Sequence, residues 1–142
     1  MPTLTRWYIR ISFLYLVAAL LVAMLLALRF PLSLPGWVGG LGPVYFHLFL
    51  VGWVTQLIFG VSFWLFPRTD QEREYGWMGW ITLAFLNAGL LLRALAEPLN
   101  ASRPGTLWGW LLVPSALLQW LAGLGFVVMT WPRTRQQARK GR

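Results

Sequence analysis

Three residues are of a type that could do chemistry where they stand: His47, Arg93 and Arg29. His47 is the only histidine of the chain, and it lies in the apolar stretch PVYFHLFLVGWVTQLIFGVSFWLFPR of residues 43–68. An imidazole nitrogen can ligate a metal, and guanidinium groups can hold an anion by charge-assisted hydrogen bonds. Ionisable groups within an apolar span are expensive there, which makes them functional candidates by default. An imidazole and one or two guanidiniums at one depth suit a haem: nitrogen to iron, arginines to the propionates, apolar walls around the macrocycle. The chain has no cysteine, so a Cys-x-x-Cys-His attachment is excluded and a b-type haem, one per chain, is the natural form. Two plainer readings stand beside this one. His47 can be an interfacial group bonded to a loop carbonyl or a headgroup, and Arg93 can snorkel to the headgroups or pair with Glu97 at i, i+4.

These residues reach a common depth only if the apolar runs around them cross a bilayer. The composition supports that: 58% of residues are hydrophobic and only 11% are charged, too few charges to cover a soluble domain of this size. Four runs are long enough, at about 20 residues per crossing. They are residues 7–29, 44–66, 77–97 and 107–131, separated by PLSLPGWVGGLGP, a short charged turn and PLNASRPGT, and followed by a basic tail over 132–142. Pro67, Pro98 and Pro132 are expected to end the second, third and fourth helices. The predicted fold is all-α: a single-domain, four-helix transmembrane bundle in contact with the lipid bilayer. With alternating helix directions, His47 lies about one turn inside the second helix, Arg93 about one turn from the end of the third, and Arg29 at the end of the first, all on one side.

The net charge of +8 sits on the flanks of the runs rather than in a patch interleaved with aromatics, so it is read as membrane topology and no nucleic-acid partner is expected. With both termini inside, the inner side holds Arg6, Arg10, Arg68, Arg73, Arg133, Arg135, Arg139, Lys140 and Arg142, against Arg29, Arg93 and Arg103 outside. That bias predicts an N-in/C-in protein. Most tryptophans fall near the ends of the runs, where amphipathic rings favour the interface. Trp53 and Trp120, nearer the middle, are read as packing residues.

On the second helix, Gly52, Gln56 and Gly60 follow at i, i+4, i+8, beside a stripe of His47, Val51, Val54, Ile58 and Ser62. Such a face can approach a flat ligand, which makes Val51, Gly52 and Val54 candidate cofactor contacts with His47. It can equally be a small-residue packing face. Asn87, Ser115 and Gln119 are read as interhelical hydrogen-bonding groups, with Gly123 completing an i, i+4, i+8 stripe from Ser115. The number of small-residue stripes exceeds what one bundle needs, which predicts a homo-oligomer. No catalytic constellation is evident: no carboxylate is expected within a span, and there is no second histidine and no triad.

At His47, Gly52, Trp53, Phe59, Gly60, Pro67 and Arg68 the segment resembles the second transmembrane helix of subunit I of haem–copper oxidases and nitric oxide reductases, and small relatives of that subunit. In that family the helix-opening histidine is an axial ligand of the low-spin haem, and the resemblance implies that role for His47. It covers about 25 of the 142 residues. The further histidines that the family uses for copper and a high-spin haem are lacking, so a binuclear centre is not implied. Tyr45 stands where small relatives often carry a second histidine. The resemblance implies electron transfer, haem handling or gas sensing, with a respiratory-chain partner, in a prokaryotic inner (plasma) membrane. The alternative is a cofactor-free accessory or assembly subunit of a respiratory complex; a transporter is the third choice, and no pair of broken helices supports it.

Overall fold

The computed structural model describes residues 1–66, 71–105 and 107–140, and nothing is said of the side chains of residues 71–75 and 134–140. Pro67 and Arg68, which close the resemblance motif, and Arg142 lie outside the described residues, while the side chains of Arg73, Arg135, Arg139 and Lys140 fall in the undescribed set. Among the described residues there are helices and turns and no strand. The fold is the expected all-α arrangement of four helices long and apolar enough to cross a membrane, over Thr3–Leu28, Gly36–Leu65, Gly76–Ser102 and Leu107–Arg133.

The first crossing is α1 (Thr3–Leu28). The second is composite. A 3₁₀ turn over Gly36–Leu41 leads into α2 (Gly42–Phe46), a π-helical segment over His47–Thr55, and α3 (Gln56–Leu65). Pro43 sits in the first turn of α2, where its missing N–H costs nothing. The third and fourth crossings are α4 (Gln71–Ser102) and α5 (Leu107–Lys140). α1 packs along the second crossing and α4 along α5, and the two pairs meet mainly where α4 lies against the second crossing.

Several expected ends differ. α4 runs through Pro98 to Ser102, and α5 runs through Pro132 to Lys140. A proline removes one helical N–H and strains the preceding turn, but in membrane helices side-chain hydroxyls and neighbours re-satisfy the freed groups. At Pro98 the freed acceptor is the Ala94 carbonyl; one turn on, the Ser102 hydroxyl donates to the proline's own carbonyl at 2.9 Å, within the continued helix. Part of the Pro/Gly-rich connector folds into the 3₁₀ turn, and Gly40 lets it close on α4: a Cβ there would meet Ala101 Cβ at 2.9 Å.

Two buried clusters hold the helices together. Tyr8, Phe59, Phe63, Leu83, Leu86 and Ala122 form one towards the N-terminal end of α1, and Tyr15, Ala19, Val44, Leu48 and Leu90 form the other towards its C-terminal end. Phe59 and Phe126 stack with centroids 3.8 Å apart, tying α3 to α5. Gly52 and Gly60 are the close-approach points of the second crossing on α1. A Cβ at Gly60 would lie 2.8 Å from Tyr8 Cβ, and one at Gly52 would lie 2.7 Å from Tyr15 Cγ and 2.9 Å from Leu90 Cδ2. The buried face of α1 is Thr5, Tyr8, Ser12, Tyr15 and Ala19, so its polar side turns inward and its leucines face outward, as lipid rather than water demands. Trp120 is 60% exposed on α5 rather than packed, whereas Trp53 does pack, edge-on to Phe49 with centroids 4.8 Å apart. Arg133, expected on the basic flank, is buried at the end of the last crossing with its guanidinium 5.4 Å from the Phe63 ring centroid.

Candidate functional site

His47 opens the π-helical segment, one turn after Pro43. Its backbone N–H already bonds the Pro43 and Val44 carbonyls. Its ring turns back along the same turn, so that Nδ1 lies 2.8 Å from the Pro43 carbonyl oxygen. That oxygen can only accept, so Nδ1 carries the proton of this bond, and in the neutral ring Nε2 then carries the lone pair. Nε2 has no hydrogen-bond partner among the described residues, and the His47 side chain is 26% exposed.

Glu97 completes the arrangement from α4. Its Oε1 is 3.5 Å from His47 Nδ1 and accepts a hydrogen bond of 2.7 Å from Arg93 Nε, one turn earlier on α4. The carboxylate is only 9% exposed, and its Oε2 is buried with no partner among the described residues. The continuation of α4 past Pro98 places Glu97 five residues, and Arg93 nine residues, from the helix end at Ser102. At 1.5 Å per residue Arg93 is then roughly 13 Å from that end. Contrary to the expectation that no span holds a carboxylate, Glu97 lies inside the third crossing. Its sequence signal was the i, i+4 spacing from Arg93. That spacing pointed to a local pair, and the assumed stop at Pro98 hid the depth of the carboxylate.

The other expected site residues divide. Arg93 is brought to His47 through Glu97. Arg29 is not placed with them: its guanidinium lies against Gly39 of the 3₁₀ turn and 5.6 Å from the Phe30 ring centroid. Gly52 is buried, and the space beside it is taken by Tyr15 and Leu90. Val51 packs into both core clusters, and Val54 is half-buried. Of the groups weighed as further ligands, Met24 is 52% exposed on α1, and Tyr45 packs against Phe46 and Phe49.

The π-helical segment has a local signature of its own. Thr55 Oγ1 donates to the Leu50 carbonyl, five residues back, at 2.8 Å. Wide turns of this kind are rare and occur frequently at functional sites. Nothing in the spacing of residues 47–55 distinguishes such a turn from a regular helix.

The remaining polar groups serve packing. Ser115 Oγ donates to the Gly89 carbonyl across the α4–α5 interface at 2.7 Å, as expected of an interhelical group. Asn87 and Gln119 instead bond within their own helices, to the Leu83 carbonyl at 2.7 Å and to Ser115 Oγ at 3.4 Å. Among the described residues no group of three or more His, Cys, Asp or Glu side chains is placed to hold a metal ion. No protein-family model matches the chain, no curated protein matches it, and no solved structure does.

Proposed function

We propose that the protein is an integral-membrane haem b protein, serving electron transfer, haem handling or gas sensing, in which His47 Nε2 is the iron ligand. The single observation that carries this reading is the imidazole's hydrogen bond to Pro43. Metal-ligating histidines characteristically give their other ring N–H to a carbonyl or carboxylate, which fixes the tautomer and the ring plane. His47 Nδ1 bonds the Pro43 carbonyl and has the Glu97 carboxylate 3.5 Å away. Haem iron would supply redox or gas-binding chemistry, while the chain supplies the nitrogen, the apolar flank of Leu50 and Phe46, both more than half exposed, and cationic charge at Arg93. Arg29 would act on a propionate only by leaving Gly39, and Gly52 would serve by keeping the helix close to α1 rather than by touching the macrocycle.

One histidine per chain cannot give two imidazoles to one iron. With one haem per chain the iron would then be five-coordinate or weakly six-coordinate; the small-residue stripes independently favour a homo-oligomer, N-in/C-in in a prokaryotic inner membrane, with a respiratory-chain partner. The test is the absorption spectrum of detergent-purified protein from haem-replete cells. A Soret band that His47→Ala abolishes, with the variant still folded, supports the proposal. Full haem retention with an unchanged spectrum removes His47 from the site. One haem per two chains with no ferrous–CO complex would replace the coordination above with a shared bis-histidine iron. The orientation is tested separately: Ser102→Cys should react with an impermeant thiol reagent from outside and Gln137→Cys should not.

A specific observation favours a second reading. Arg93, Glu97 and His47 engage one another, which would suit a cofactor-free accessory subunit in which the cluster joins α4 to the second crossing. Colourless protein from haem-replete cells would select it.

A further inference from the structure

We infer that Glu97 is a positioning residue that, with the Pro43 carbonyl, holds the proton of His47 on Nδ1 and so presents Nε2 as a lone pair, an inference whose purpose, though not its geometry, rests on the proposed iron ligation. The sequence placed no carboxylate at this depth, and the structure brings one in from another helix. Glu97 Oε1 is 3.5 Å from Nδ1, and the carboxylate is 9% exposed, so water screens it little. Pro43 O alone would hold the ring through its own helix turn. Glu97 adds a negative charge on the same side of the ring, anchored by Arg93 Nε at 2.7 Å. Moving the proton from Nδ1 to Nε2 carries it about 2 Å further from that charge; at an effective dielectric constant of about 20 this is worth a factor of roughly twenty in the tautomer ratio for a full unit charge, and less because the Arg93 guanidinium offsets part of it. Arg93 has a corresponding part: its Nε is committed to orienting Glu97, and only its terminal nitrogens are left to meet an anion.

The groups facing the imidazole are thus Pro43 from its own helix and Glu97, backed by Arg93, from α4. Since His47 is the only histidine, the imidazole ¹⁵N spectrum of histidine-labelled protein reports this one ring. The experiment uses the haem-free full chain in detergent, at an alkaline pH at which the ¹⁵N shifts themselves show the ring to be neutral. The Nδ1-protonated tautomer is expected to dominate. Glu97→Ala should raise the Nε2-protonated share severalfold, and Glu97→Asp should restore part of the difference. Arg93→Ala removes the anchor but keeps the charge and should move the ratio less than Glu97→Ala. A dominant Nε2-protonated ring in the parent protein, or a ratio indifferent to Glu97→Ala, overturns the inference. Equal effects of Arg93→Ala and Glu97→Ala would also overturn it, by showing a general loosening of α4. Haem uptake is read independently from the Soret band, so the tautomer result stands or falls apart from the haem reading.

Discussion

Two polar regions of the second crossing are opposites. Around His47, three groups from two crossings engage one another: the imidazole, the Glu97 carboxylate and the Arg93 guanidinium. Nine residues on, Gln56 faces the interior fully buried, and neither its amide oxygen nor its amide nitrogen has a partner among the described residues. Thr5 Oγ1 on α1 is likewise buried and unpartnered. Polar groups buried in apolar surroundings normally find partners, because an unmet one costs its full desolvation. The difference shows what makes an intramembrane polar residue affordable. Glu97 keeps one oxygen, Oε2, unpartnered among the described residues, but through Oε1 it reaches a cation one turn away on its own helix and lies 3.5 Å from an imidazole on another, whereas Gln56 lies between two glycines whose role is to bring α1 close. At Gly52 and Gly60 the backbone contact with Tyr15 and Tyr8 is tight, which closes the seam around the amide.

The strongest way to break this comparison is to open the seam. Gly52→Val would put side-chain carbon where Tyr15 and Leu90 already stand, at 2.7 to 2.9 Å from the position of its Cβ. The Cβ and ring root of Tyr15 sit close to their own backbone and leave little room to adjust, even if the Leu90 tip shifts, and the expected cost is about 3 kcal/mol, read by equilibrium unfolding in mixed micelles. An unchanged midpoint would mean that α1 is not seated on the second crossing as described.

Next in size is Glu97→Leu. It leaves the Arg93 guanidinium without its 2.7 Å acceptor and removes the carboxylate beside His47. Loss of a hydrogen bond between charged, partly buried groups is expected to cost about 2 kcal/mol. A neutral result would place the cluster in the class of surface ion pairs and dissolve the contrast with Gln56.

Gln56→Leu has the opposite sign. It exchanges an unpartnered amide for an apolar group of similar volume and is expected to stabilise by about 1 kcal/mol. Destabilisation would show that the amide does have partners, such as bound water, and that the two regions are alike in kind.

The sequence carried the number of spans and the helical class well, because length and hydropathy are what the bilayer selects. The ends were less legible. Pro98 and Pro132 read as stops by their local chemistry, yet both helices continue through them. That error propagated into the site, since a helix ending at Glu97 leaves no carboxylate inside the membrane. The buried face of α1 was present in the 3-4 spacing of Thr5, Tyr8, Ser12, Tyr15 and Ala19, but hydropathy weights the leucines that lipid takes. The π-helical turn at His47–Thr55 has no residue signature. His47 stood out for its chemistry alone, and its partner on α4 is a tertiary fact.

The smallest effect tests whether a partnered polar group within the spans is worth much at all. Ser115 is fully buried, and its hydroxyl donates to the Gly89 carbonyl on α4 at 2.7 Å. The approach is close because Gly89 has no side chain: a Cβ there would lie 2.8 Å from the Ser115 carbonyl oxygen. Ser115→Ala removes the hydrogen bond and leaves the Gly89 carbonyl within its own helix ladder, so no acceptor is stranded. It also deprives Gln119 of the weak bond from Nε2 to Ser115 Oγ at 3.4 Å, but Gln119 is half-buried and can turn outward. Interhelical hydrogen bonds in membranes average about 0.6 kcal/mol, since the separated helices also find partners. Ser115→Ala is accordingly expected to lower stability by about that amount, read as a small shift in the unfolding midpoint with the slope unchanged. Ser115→Leu, which cannot fit opposite Gly89, should cost several times more. If the alanine variant cost as much as the leucine variant, the hydrogen bond itself, and not the close packing it accompanies, would be what holds α4 to α5. A partnered hydroxyl would then rank with the charged cluster at His47.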